Sequence, residues 1–121
     1  MMSAIVVLLA MTACEPQYGD PSDPLGLASD FIKGLNGRNG SAVLGLMAPG
    51  GRIRASDDSF EISGPLVGEF VDSLDSGPRA RVASSIVVGE QVAVSVEAEG
   101  ETQLLVFETS GNCINTVTYF E

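Results

Sequence analysis

The stretch Arg81–Phe120, RVASSIVVGEQVAVSVEAEGETQLLVFETSGNCINTVTYF, decides the fold. It divides into RVASSIVV, QVAVSVEA, TQLLVFE and CINTVTYF, separated by Gly89-Glu90, by Glu99-Gly100 and by Ser110-Gly111-Asn112. Each segment is rich in β-branched residues, and glycine supplies the positive φ that tight turns require. Four strands joined by three short turns make an antiparallel meander. Val92, Val94 and Val96 alternate onto one face, and Val82, Ile86 and Val88 are expected to do the same, giving the sheet a buried side. Leu104-Leu105-Val106-Phe107 is apolar on both faces, so part of the second side is expected to be covered as well.

Upstream of the strands the period changes from two to 3.6. Asp23-Pro24 reads as a helix start, with an N-cap acceptor followed by proline in the first turn. Ala28, Phe31, Ile32 and Leu35 then fall at i, i+3, i+4 and i+7, one apolar helix face. Asn36–Gly40 (NGRNG) breaks that helix. A second helix, SAVLGLM, is expected to stop at Ala48–Gly51 (APGG), where proline and two glycines forbid continuation. GRIRAS and DDSFEIS predict two short strands. Ser63-Gly64-Pro65 starts a third helix, with Val67, Phe70, Val71 and Leu74 at helical spacing and Gly77-Pro78 as its end.

This order resembles the nuclear transport factor 2 superfamily, which holds ketosteroid isomerases, polyketide cyclases, SnoaL-like proteins and many non-catalytic domains. The likeness is carried by ASDFIKGLNGRNGSAVLGLMAPGGRIR (residues 28–54) and VFETSGNCINTVTYFE (residues 106–121). It covers about residues 24–121. It implies an α+β fold in which a cone-shaped, curved antiparallel sheet packs against three N-terminal helices, with a cavity at the wide end. Phe31, Leu35, Met47, Phe60 and Phe70 are the expected cavity residues.

Isomerases of that superfamily pair a carboxylate base with an oxyanion hole made of a tyrosine and a protonated acid. Carried over by position, the tyrosine falls on Phe31, which has no hydroxyl. The base falls on or next to Ala55, with Ser56, Asp57 and Asp58 just beyond, and the second acid falls near Leu104 or Leu105. Two of the three roles are therefore filled by apolar groups. The expectation is a non-catalytic module that binds a small apolar ligand or a protein partner. The alternative is an isomerase- or cyclase-type enzyme with Asp57 or Asp58 as general base. Arg52 and Arg54, two apart on one strand, are expected to pair with nearby carboxylates rather than grip an anion. Tyr119 reads as a rim aromatic.

Composition narrows the chemistry further. Histidine is absent from all 121 residues, which removes the commonest general base and metal ligand. Ser–His–Asp and Cys–His mechanisms are excluded, and neither a metal nor a cofactor is expected. Acidic residues outnumber basic ones 16 to 6, for a net charge of −10. Such a chain does not neutralise phosphates, so nucleic acid is not an expected partner.

The N-terminus predicts location. Ala4–Ala13 (AIVVLLAMTA) carries no charge but is shorter than the roughly twenty residues needed to span a bilayer. Met11-Thr12-Ala13-Cys14 resembles the lipobox of bacterial lipoproteins, in which the cysteine is lipidated and becomes the first residue. Residues 1–13 then read as a signal peptide, 14–23 as an acidic, proline-rich tether and 24–121 as the domain. The resemblance implies attachment to the membrane through lipidated Cys14, on the extracytoplasmic side of the bacterial cell envelope, with stable anchoring requiring more than one acyl chain. Cys113 is expected partly buried on the last strand. Without lipid on Cys14, a Cys14–Cys113 bridge would pull the tether against the sheet. A homodimer through the sheet face is compatible with the apolar outer side of residues 104–107.

Overall fold

A computed structural model describes residues 23–74 and 79–120. The proposed signal peptide, Cys14, all of the tether except Asp23, and the Gly77-Pro78 helix end lie outside the described residues. Helices α1 (Pro24–Asn36) and α2 (Gly40–Leu44) lead into strands β1 (Met47–Ala55) and β2 (Glu61–Ser63). Helix α3 (Leu66–Asp72) precedes β3 (Arg81–Val88), β4 (Gln91–Ala98), β5 (Glu101–Ser110) and β6 (Cys113–Phe120).

Local chemistry explains most of these boundaries. The Asp23 carboxylate accepts a hydrogen bond from the Gly26 N–H at 3.0 Å, and Pro24 occupies the first turn of α1. Asn39 caps α2 in the same way, accepting from the Ala42 N–H at 3.1 Å. The Gly40 N–H donates to Asp72 Oδ1 at 2.8 Å and so ties α2 to the end of α3. A Cβ on Gly40 would fall 2.1 Å from the Gly68 carbonyl oxygen, so the two helices approach this closely only because residue 40 is glycine.

The six strands form one sheet in the order β2-β1-β6-β5-β4-β3. The β3–β6 meander is antiparallel throughout, with the turns where the glycines predict them. The sheet as a whole is mixed, because β1 runs parallel to β6. Chain-distant pairing of this kind leaves no local signature.

Two sequence expectations change. Ala48–Gly51 does not stop a helix: α2 ends at Leu44, and residues 48–51 lie inside β1 at a shift in its register with β6. Gly50 takes φ +79° there, and a Cβ on Gly51 would meet the Ala48 carbonyl oxygen at 2.9 Å. The glycines build a bulge instead of a breaker. The second change is in β3. Val82 lies opposite Val96, but the register shifts before Ser84, so Ser85 and Val87 oppose Val94 and Val92 while Ile86 and Val88 oppose Ala93 and Gln91. One inserted residue moves Ile86 and Val88 to the outer face, where they are 67% and 69% exposed.

Val92, Val94 and Val96 are buried as expected. With Phe107, Ile114, Val117 and Ile53 they form the inner face of the sheet, against which Ala28, Phe31, Ile32, Val43, Val67 and Val71 of the helices pack. Phe31 and Phe107 meet edge to face at 5.3 Å and 77°, an arrangement contributing roughly 0.5–1.5 kcal/mol beyond area burial.

Candidate functional site: an apolar cavity at one end of the sheet

The inner face is filled at one end and hollow at the other. A cavity of about 250 Å³ lies between α1 and the sheet. Phe31, Ile32 and Leu35 of α1, with Phe70 and Leu74 at and just beyond α3, line its helical wall. Ile53, Val96, Leu105, Val117 and Tyr119 line its sheet wall, and Ala80 and Gln103 complete it. The lining is dominated by apolar side chains, with the Gln103 amide and the Tyr119 hydroxyl as polar groups. No carboxylate or cationic side chain is among the described lining residues.

Sheet register places the walls. Val96 opposes Gln103, and Leu105 opposes Tyr119, so three adjacent strands aim their side chains into the same volume. Asn36 at the end of α1 sets the position of Ala80. Its Nδ2 donates to the Ala80 carbonyl at 2.9 Å, while its Oδ1 accepts from the Ala80 N–H at 2.8 Å. This pair of hydrogen bonds to the backbone holds Ala80 against the end of α1 as the chain enters β3. An open groove lined by Ala80, Val96, Ala98, Glu101, Thr102 and Gln103 adjoins the cavity, and Gln103 stands where the two meet.

Of the five cavity residues expected from sequence, Phe31, Leu35 and Phe70 line the cavity. Phe60 stands beside it, 5.3 Å from Phe70 and 6.2 Å from Tyr119 between ring centroids. Met47 is 1% exposed and sits opposite Ile114 at the filled end, away from the described lining residues. Gln103 and Ala80 were not legible as lining residues. The alternation Gln103, Leu105, Phe107 would have marked Gln103 once β5 had been given a buried face.

The positions carried over from the isomerases separate cleanly. Phe31 and Leu105 line the cavity with hydrocarbon where those enzymes place hydrogen-bond donors. Ala55 is buried on β1, and Leu104 is 39% exposed on the outer face. Asp57 and Asp58 occupy the exposed turn between β1 and β2 and are not among the described lining residues. Asp57 accepts from the Ser59 N–H at 3.0 Å. Hydrogen bonds from the Ser59 side chain and backbone hold its carboxyl below the ordinary aspartate range. Asp58, with φ +63°, pairs with Arg54. Arg52 approaches Glu61 at 3.9 Å, so both arginines face carboxylates. Cys113, at the start of β6, is 1% exposed and is not a free thiol. Among the described residues no cluster of His, Cys, Asp or Glu is placed to hold a metal, and no helix is long and apolar enough to cross a membrane.

No protein-family model matches the sequence, and no curated protein matches it. Solved structures do match. A protein provisionally described as a ketosteroid isomerase, from Kribbella flavida DSM 17836, superposes with a TM-score of 0.69 at 24% identity, over 80% of this chain and 76% of its own. A SnoaL-like protein of unknown function from Burkholderia thailandensis E264 gives 0.66 at 15% identity, over 79% and 92%. A de novo designed protein with a curved β-sheet gives 0.67 at 18% identity, over 80% and 83%. At these identities the architecture is shared and activity is not transferred. The chain has the nuclear transport factor 2-like fold, a curved sheet wrapped around helices with a cavity at one end.

Proposed function

We propose that the domain is a non-catalytic binding module whose cavity takes a small, uncharged apolar ligand. The observation that carries this reading is the cavity lining: hydrocarbon on both walls, an amide and a phenol as polar handles, and no charged side chain among the described residues. A charged ligand group buried there would lose its hydration without a counter-charge, whereas an apolar body gains from leaving water. Proton abstraction by Asp57 is disfavoured by its exposed place in the turn and by hydrogen bonds that weaken it as a base. A protein partner inserting an apolar side chain is the other occupant of the same chemistry.

Titration with N-phenyl-1-naphthylamine, an uncharged fluorophore that brightens in apolar surroundings, tests the reading. Saturable enhancement is expected for the parent protein. Ala80→Phe fills the cavity from its rim and should abolish the enhancement while leaving the circular dichroism spectrum unchanged. Equal enhancement in both proteins would place the probe elsewhere and remove the proposal.

We further propose that the module is lipid-anchored through Cys14 on the extracytoplasmic side of a bacterial envelope. The lipobox-like Met11–Cys14 supports this. A second reading is favoured by one observation, that Cys113 is not a free thiol. The two readings compete for one sulfur, since a thioether on Cys14 leaves nothing to bridge to Cys113. The intact mass of protein recovered from a bacterial membrane fraction separates them. Residues 14–121 with a diacylglycerol adduct support the anchor, and an unmodified chain removes it.

A further inference from the structure

The two edges of the sheet are unlike. β2 is three residues long, carries Glu61, and has α3 packed beside it. Short length, charge and a covering helix are the devices by which edge strands avoid pairing with other chains. β3, at the opposite edge, carries its one charge at its first residue, Arg81, and α1 touches the strand without covering it. It runs for eight residues, every one of them exposed, and pairs only with β4 among the described residues. Val82–Val88 (VASSIVV) contains no charge and no proline, and four of its residues are valine or isoleucine. Backbone N–H and C=O groups along its free side therefore point outward from a strand of high β propensity.

We infer that β3 is a self-pairing edge. Two copies join β3 to β3, antiparallel about a two-fold axis near Ser84–Ser85, and extend the sheet of six strands in one copy across the pair. Charge selects a second copy and this orientation. Each chain carries −10, so copies repel over most approaches, but residues 82–88 are neutral. Arg81, which pairs with Glu97 of its own copy at 2.8 Å on an exposed face, opens the strand, and Glu90, whose carboxylate accepts from the Gly111 N–H at 3.3 Å, follows its end. An antiparallel pair brings Arg81 of each copy to the Glu90 end of the other, twice over by symmetry, whereas a parallel pair would set Arg81 beside Arg81. Small serine side chains at the axis allow close approach. The exposed Ile86 and Val88 on the outer face and Val87 on the inner face are covered by the partner copy on either side of the axis.

The test is sedimentation velocity of the full chain across a concentration series, combined with hydrogen exchange of the β3 amides. A dimer is expected, with amides of residues 82–88 protected at high concentration and exchanging freely on dilution. Ser84→Lys sets like charges close together at the axis and should raise the dimer dissociation constant at least about tenfold, without changing the melting temperature measured at dilutions where the parent is monomeric. Ser63→Lys, on the other edge, should leave it unchanged. A monomer at every concentration overturns the inference. So does a dimer that survives Ser84→Lys, or one whose protection falls outside β3 and which Leu104→Glu on the outer face disperses. Protection of residues 82–88 in a monomer also overturns it, by assigning the edge to the chain itself.

Discussion

The two ends of the inner sheet face are built from the same strands and behave differently. At the filled end, Met47, Val92, Phe107 and Ile114 meet Phe31 and Val43 with no more than 2% exposure at any of them. At the hollow end, Ile53, Val96, Leu105, Val117 and Tyr119 from β1, β4, β5 and β6 surround a cavity. Helix α1 serves both ends: Phe31 reaches Phe107, while Leu35, one turn on, only lines the void. At the filled end the Phe31 and Phe107 rings close on each other, whereas the rings of Phe70 and Tyr119 at the other end stand around a void. A cavity retained beside tight packing forgoes dispersion contacts that the filled end makes, and the proposed binding role gives it a use.

That comparison can be sharpened by mutation. The largest effect is expected at the filled end. Phe107→Ala removes a fully buried ring and its edge contact with Phe31, and should cost about 3–5 kcal/mol, read by urea unfolding. Asn36→Ala should cost less, about 1–2 kcal/mol, because it removes two hydrogen bonds to the Ala80 backbone. It should also loosen the cavity rim, seen as faster exchange at the Ala80 amide. Leu35→Ala, at a half-buried position already facing a void, should cost about 1 kcal/mol and enlarge the cavity. Equal losses for Phe107→Ala and Leu35→Ala would erase the contrast between the ends.

The smallest effect is expected at Asp57. Its carboxyl is held below the ordinary aspartate value of 3.8 by hydrogen bonds from Ser59 that the unfolded chain lacks. The stability it contributes is therefore present above 3.8 and lost as pH falls through the lower folded value. Asp57→Asn should flatten the acid-side stability curve slightly and leave probe binding at neutral pH untouched. Loss of binding or of a catalysed turnover in that variant would revive the isomerase-type reading.

The meander and the helix faces were legible because their signals are local. Gly89, Gly100 and Gly111 take positive φ at the turns that punctuate β3–β6, and the spacing of Ala28, Phe31, Ile32 and Leu35 describes the buried side of α1. What the sequence hid was non-local. The parallel pairing of Met47 with Ile114 and Ile53 with Val117 links residues more than sixty positions apart, and it turns Gly50-Gly51 from a helix stop into a bulge. The bulge beside Ala83 reverses the faces of Ile86 and Val88, which period-two reading alone assigns to the core. At the site, Phe31, Leu35 and Phe70 could be found from helix periodicity. Gln103 and Ala80 could not, because one depends on strand register and the other on the Asn36 clamp. Met47 followed from the same logic as Phe70 but lies at the filled end, since hydrophobicity reports burial and not which end is hollow.

The most direct test of the account is a methyl-resolved NMR titration with N-phenyl-1-naphthylamine. Binding in the cavity predicts shifts concentrated at the methyl groups of Ile53, Val96, Leu105 and Val117, with Val43, Val92 and Ile114 at the filled end unmoved. Shifts spread evenly over both ends, or confined to Ile86 and Val88 on the outer face, would contradict it.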